Sequence, residues 1–139
     1  LCTHQGKPMF ELRPDLLLTQ GSQRWVLDAK WKRLDGADRQ GKYGLSQADL
    51  YQLFAYGHKY LGGQGDLVLI YPAWQRFKVP LAPFCFDNDN RLRLWVLPFE
   101  LGAQATHRLL LPEWPAGDGV SGLALPLRTK LMASLVSRA

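Results

Sequence analysis

Residues 66 to 71 read Asp-Leu-Val-Leu-Ile-Tyr, an unbroken apolar run of strand length. A strand that is apolar on both faces is buried on both, so this one belongs in the middle of a sheet with material packed over it. The run is far shorter than the ~18 residues that a membrane span needs. With 139 residues, 47% of them hydrophobic, the chain is long enough for a single domain with a real core. Two cysteines, Cys2 and Cys85, are too few for a disulfide scaffold and lack zinc spacing. The chain opens Leu1-Cys2-Thr3-His4, without an initiator Met or a signal peptide, and reads as a piece of something longer.

The elements around that run follow from periodicity. Residues 9 to 19 alternate as a strand, interrupted by Pro14, with Phe10, Leu12, Leu16 and Leu18 on one face. Gln20-Gly21-Ser22-Gln23 is turn chemistry, and residues 24 to 32 supply the second arm of a hairpin. In that arm Val26, Asp28, Lys30 and Lys32 point one way and Leu27, Ala29 and Trp31 the other. Residues 34 to 45 read as a loop. A helix is expected from Ser46, with Asp49 completing a capping box, to about Leu61, where Gly62-Gly63 stops it. Leu50, Leu53, Phe54 and Leu61 form its apolar stripe. Short strands are expected near 76–80, 83–86 and 91–97, the last two joined by Asp87-Asn88-Asp89-Asn90. Residues 112 to 122 read as a linker or surface loop, and Leu127, Leu131 and Leu135 mark a terminal helix. The sum is an α/β domain with a central mixed sheet flanked by helices, C-terminal hairpin segments and a terminal helix.

Chemistry concentrates on Pro14-Asp15 and Asp28-Ala29-Lys30. Asp28 and Lys30 project from one strand face about 7 Å apart, and the hairpin brings Asp15 near Asp28. Two carboxylates that close repel unless a cation lies between them. Magnesium is suited to such a site, because it binds through one or two carboxylates, keeps waters and takes a substrate phosphate. The bland alternative is a solvated strand face with a surface ion pair. Against it stands the apolar setting of Trp25, Val26, Leu27, Ala29 and Trp31, where a carboxylate is costly without a partner. Gln52 and Tyr56, four apart, share one helical face and can hydrogen-bond a carboxylate, a water or a phosphate, or simply form a polar helix face.

Seventeen Lys and Arg against twelve Asp and Glu leave a net charge of +5. The balance favours polyanionic partners weakly. Arg24, Lys30, Lys32, Arg33, Arg39, Lys42 and Lys59 cluster in the third of the chain that carries the acids.

Taken in order, Pro14-Asp15, Asp28-Ala29-Lys30 and Gln52 to Tyr56 resemble the PD-(D/E)xK nucleases, the last pair matching the Q-x-x-x-Y signature of the RecB-like branch. The wording RPDLLL, VLDAKWK and DLYQLFAYGHKY resembles the McrC nuclease subunits of McrBC modification-dependent restriction systems, over roughly residues 9 to 72. The resemblance implies a restriction-endonuclease-like core and a cytoplasmic, magnesium-dependent DNA endonuclease, with manganese as a substitute. The partner it implies is an McrB-like AAA+ GTPase that recognises modified cytosine. Asp15 and Asp28 become metal ligands together with the backbone carbonyl of Ala29. Lys30 becomes the catalytic lysine, and Gln52 and Tyr56 become supporting site residues. Arg13, Lys32, Lys42 and Lys59 are the expected DNA contacts. A helix that precedes the first strand in this superfamily, and the GTPase-binding region, are expected upstream, since residues 1 to 8 are short and irregular. A RecB-like repair exonuclease and an inactive DNA-binding or assembly module of the same fold are the competing readings.

Other signals are weaker. Cys2 and His4 lack a second metal-binding pair, Gly62-Gly63-Gln64-Gly65 lacks the Lys-Ser/Thr of a phosphate loop, and His58 and His107 have no readable partners. The five tryptophans are expected to pack in the core or hairpins, with Trp25 or Trp31 touching DNA as the alternative.

Overall fold

The apolar run lies in the centre of a six-stranded mixed sheet. The structure is a computed structural model and describes residues 1–86, 91–102 and 108–110. Its strands are β1 (Cys2–His4), β2 (Lys7–Met9), β3 (Leu16–Gln20), β4 (Gln23–Ala29), β5 (Gly65–Pro72), β6 (Phe84–Phe86), β7 (Leu92–Glu100) and β8 (Arg108–Leu109). One helix, α1 (Gln47–Leu61), follows a tight turn at Lys42–Gly44. The sheet order is β3-β4-β5-β7-β6, and β8 also pairs with β7. β4 and β5 are parallel, as are β5 and β7, while the outer pairings are antiparallel. The expected turn at 87–90, linker at 112–122, terminal helix and His107 lie outside the described residues.

Alternation sorts the strands into two apolar layers. Trp25, Leu27, Val68, Ile70, Trp95 and Leu97 face one side, and Val26, Leu67, Leu69, Leu94 and Val96 face the other, beneath Leu53 and Tyr56 of α1. The expectation of helices flanking the sheet is therefore narrowed to one helix on one face among the described residues. Gly57 permits its close approach: a Cβ there would lie 2.5 Å from Leu92 Cδ2. The helix ends as expected, on Gly62 at φ 66°, with the Gly63 N–H donating to the Gly57 carbonyl at 3.1 Å.

Three expectations are corrected. Residues 9 to 19 are not one strand. Phe10 takes φ 53° and is exposed, β2 ends at Met9, and Pro14, which has no N–H, lies in the extended link to β3. Residues 1 to 8 are not irregular, because β1 and β2 form a hairpin about Gln5 and Gly6, both at positive φ, a type I′ pattern disguised by a Gln in place of Asn or Asp. Residues 76 to 80 are no strand: the N–H and C=O of Trp74 and Phe77 bond one another in a tight turn.

β7 is longer and more central than its sequence suggests. It pairs with β5 along eight residues, from Gly65↔Leu92 to Pro72↔Phe99. Pro98 is tolerated inside it because its carbonyl, and so its missing N–H, faces the other side, where Leu110 donates at 2.9 Å. The parallel pair is clasped at its start by Asp66, which takes both Arg93 Nε at 2.9 Å and Arg93 Nη2 at 3.1 Å, and also Trp95 Nε1 at 2.8 Å.

Candidate active site

The hairpin register sets the first carboxylate pair. Leu16 pairs with Leu27, so the next step along the hairpin places Asp15 opposite Asp28. Two backbone bonds lock this step: the Ala29 N–H donates to Asp15 Oδ2 at 2.9 Å, and the Asp15 N–H donates to the Asp28 carboxylate. Asp15 is exposed, whereas Asp28 is the buried charged residue of the domain at 4% exposure among the described residues.

Lys30 closes the site from the end of β4. Its N–H still donates to Ile70 at 2.9 Å, which keeps the backbone in strand register one residue past Ala29. Its Nζ lies 2.7 Å from Asp28 Oδ2 and donates to Gln52 Oε1 at 3.0 Å. Asp28 Oδ2 is buried, and this ammonium is the cation it faces. Burial pushes the Asp28 carboxyl above its ordinary value, against the pull of Lys30 and with a further push from Asp15. Burial alone would lower Lys30, but the bond and charge of Asp28, then Asp49 and Asp15, prevail and raise it. Lys30 is therefore a cation at neutral pH.

The helix extends the network in a line. Gln52 Nε2 donates to the Tyr56 hydroxyl at 2.9 Å, and that hydroxyl donates its only proton to the Arg13 carbonyl at 2.8 Å. Burial, followed by the charge of Asp28, raises the Tyr56 phenol, which keeps that proton in place. One turn on, Lys59 Nζ at 3.1 Å and the Tyr60 hydroxyl at 2.5 Å both donate to the Leu12 carbonyl. The segment ahead of Asp15 is thus strapped to α1 through two consecutive carbonyls.

Asp15, Asp28, Lys30, Gln52 and Tyr56 accordingly meet in one network. The proposed DNA contacts do not share it uniformly. Arg13 pairs with Glu11 at 2.6 Å, and Lys59 is turned to Leu12 and the Tyr60 ring. Lys32 and Lys42 are exposed, the latter at the strained tight turn where Lys42 and Tyr43 take φ 55° and 59°. Sequence reasoning missed Asp49. It forms no capping box, since the Ser46 side chain makes no cap bond. Instead its Oδ1 lies 3.7 Å from Lys30 Nζ, and its Oδ2 accepts the Tyr71 hydroxyl at 3.4 Å. The missed signal is spacing: Asp49, Gln52 and Tyr56 fall at i, i+3 and i+7, one face of a helix. Two further expectations resolve here. Trp25 and Trp95 are core residues, but Trp31 does not pack, being 78% exposed. His58 stacks edgewise on Phe54 at 4.4 Å, and both cysteines are free thiols.

Among the described residues no group of three or more His, Cys, Asp and Glu is arranged to enclose a metal. Two carboxylates brought opposite each other, one of them buried, suit a hard divalent cation that keeps most of its waters rather than a fully protein-bound one. Fold and site together define an α/β domain with an acid–lysine centre at the carboxyl end of a parallel strand, the end where open α/β sheets bind their ligands. The family model described as McrBC 5-methylcytosine restriction system component matches residues 1–72, just over half of the 139, and the chain belongs to that family. The match bears out the resemblance carried by the words around Asp15, Asp28 and Gln52, and it ends on the last residue of β5. No curated protein and no solved structure gives a significant match. Among the described residues no helix is long and apolar enough to cross a membrane.

Proposed function

We propose that this domain is the DNA-cleaving part of an McrBC restriction system, a PD-(D/E)xK nuclease of the RecB-like branch with a restriction-endonuclease-like core. The observation that carries the reading is Asp28: a buried carboxylate 2.7 Å from a lysine ammonium and locked to a second acid across the hairpin. A surface ion pair would not need that burial. Asp15, Asp28 and the Ala29 carbonyl would hold magnesium, for which manganese substitutes. When bound, the ion polarises the phosphodiester and lowers the pKa of a water.

The remaining work falls to this chain's own groups. Lys30, held as a cation by the bond and charge of Asp28 and by the charges of Asp49 and Asp15, neutralises charge on the scissile phosphate. Gln52 fixes the ammonium with its carbonyl oxygen, and Tyr56 fixes Gln52 in the one amide orientation that serves both partners. Tyr56 also holds the Arg13 carbonyl, two residues before Asp15, so a single helix face sets the spacing of both halves of the site. The partner is an AAA+ GTPase that delivers modified DNA.

The test is cleavage of methylated DNA by the complete chain assembled with its GTPase partner. Asp28→Asn and Lys30→Ala should each lower the rate by about 10²-fold or more. A normal rate for either removes the site assignment. Calorimetric titration of the apo protein with magnesium should give saturable binding that Asp15→Ala abolishes. Cutting that starts from the ends of unmodified linear DNA would move the assignment to a repair exonuclease.

A further inference from the structure

Asp49 is engaged by two neighbouring strands at once. Ala29 pairs with Ile70, and the Lys30 N–H donates to the Ile70 carbonyl, so the next step along β4 and β5 sets Lys30 beside Tyr71. Both side chains meet the same carboxylate on α1. Asp49 Oδ2 accepts the Tyr71 hydroxyl at 3.4 Å, and Asp49 Oδ1 lies 3.7 Å from Lys30 Nζ, too far for a hydrogen bond. Tyr71 is 1% exposed, and burial, followed by the charge and bond of Asp49, holds its phenol above the ordinary value, so it stays a donor. One oxygen of Asp49 is thus held by the sheet. The other faces an ammonium that sits closer to Asp28, at 2.7 Å.

We propose that Asp49 is the second seat of the Lys30 ammonium, a positioning residue that takes the lysine over from Asp28 when a divalent cation is bound. The inference rests on the metal-dependent reading above and adds a residue to it. A carboxylate that holds a dication has less charge left for an ammonium, and the two cations repel across so short a gap. Lys30 then needs another anion. Gln52 Oε1, at 3.0 Å, offers a dipole without a charge. Asp49 offers a charge from the same helix face, three residues before Gln52. The charge balance agrees. Asp15, Asp28 and Asp49 all act on Lys30, and three anions with one cation leave −2, which one dication cancels. Without Asp49 the loaded site would keep a net positive charge where the side chains are largely shielded from water, which is costly.

The experiment titrates the complete chain with magnesium alone in a calorimeter, without DNA and without cleavage. Asp49→Asn should weaken magnesium about tenfold in the natural background. In a Lys30→Met background the same change should alter affinity by less than about twofold, because Asp49 acts through the lysine. Equal weakening in both backgrounds would make Asp49 a metal ligand or a bare charge, and overturns the proposal. So does unchanged affinity in the natural background. A crystal structure of the natural protein with magnesium decides the matter even if Lys30→Met does not fold. Lys30 Nζ should lie nearer to Asp49 than to Asp28, the reverse of the 3.7 and 2.7 Å seen without metal. A lysine still seated on Asp28, or magnesium bound to Asp49, overturns the proposal. The two readings fail separately. Magnesium binding that Asp15→Ala abolishes and Asp49→Asn leaves untouched keeps the metal site and removes the second seat. No magnesium binding by the natural protein removes both.

Discussion

At neutral pH an ionised carboxylate at 4% exposure must be held by its neighbours or take up a proton, and Asp28 has one close cation to hold it. The two partners are not equivalent. Removing the charge of Asp28 leaves Lys30 about a quarter exposed, with Gln52 and Asp49 still in reach, whereas removing Lys30 strands a buried anion. In metal-free buffer at pH 7, Asp28→Asn should therefore stabilise the fold, while Lys30→Met should destabilise it by about 3 kcal/mol. The pH dependence follows from the raised carboxyl. The favourable contribution of protonated Asp28 is complete below 3.8 and is lost as pH rises through its higher folded-state value. The advantage of Asp28→Asn should thus open up across that window, as urea melts at a series of pH values would reveal. Lys30, raised above 10.5, keeps its contribution until pH climbs through that higher value, so it does not titrate in the same range. Saturating magnesium should stabilise the natural protein and leave Asp28→Asn unmoved, reversing their order. At this scale the sequence was readable where chemistry conflicts with environment, as it does for an Asp in Trp-Val-Leu-Asp-Ala. It was ambiguous for Asp49, whose place three residues after Ser46 imitates a cap while its spacing to Gln52 and Tyr56 puts it on the site face, and the tertiary approach of Lys30 and Tyr71 decides between the two.

At the scale of elements, α1 acts as both lid on one core layer and scaffold for the site. Its stop was legible from Gly62, since that cap is local chemistry, and its start fell at Ser46 as expected although the Ser46 side chain makes no cap bond. The hairpin about Gly21-Ser22 was legible for the same reason, and with it the approach of Asp15 to Asp28. Two things escaped: β2 parting from β3 into a local hairpin with β1 whose turn is disguised by Gln5, and β7 running through Pro98 because its bonding to β5, a distant partner, survives there. Gly57 invites a test of which effect governs the helix. Alanine gains about 1 kcal/mol in helix propensity, but its methyl would lie 2.5 Å from Leu92, which is 2% exposed and has nowhere to go. Gly57→Ala should lower stability by about 1–3 kcal/mol in chemical melts, the range of overpacked cores. Tyr56→Phe leaves the Arg13 carbonyl without its phenol and frees the Gln52 amide, at a cost of about 1–2 kcal/mol. Its magnesium affinity should drop about tenfold or more, as for other partners that orient a metal ligand. A Tyr56→Phe protein with unchanged magnesium affinity would show that Asp15 does not depend on the strap.

For the molecule as a whole, the matched family region and the folding unit are different lengths. Residues 1–72 carry every residue of the candidate site, but β5 within them pairs along eight residues with β7, which lies outside. A chain cut after Pro72 should fail to fold, giving no cooperative melt, because its most apolar strand would be left as an open edge. The opposite end behaves differently. β1 and β2 pair with each other and are exposed throughout, so deleting residues 1–9 should change stability by less than about 0.5 kcal/mol.

The strap from Tyr56 to Arg13 has a mechanical consequence. Asp15 is held from two sides at once, by the Ala29 N–H across the hairpin and by the helix through the Arg13 carbonyl two residues before it. The spacing of the two acids is therefore fixed by the sheet and the helix together, and a change in either element reaches the pair.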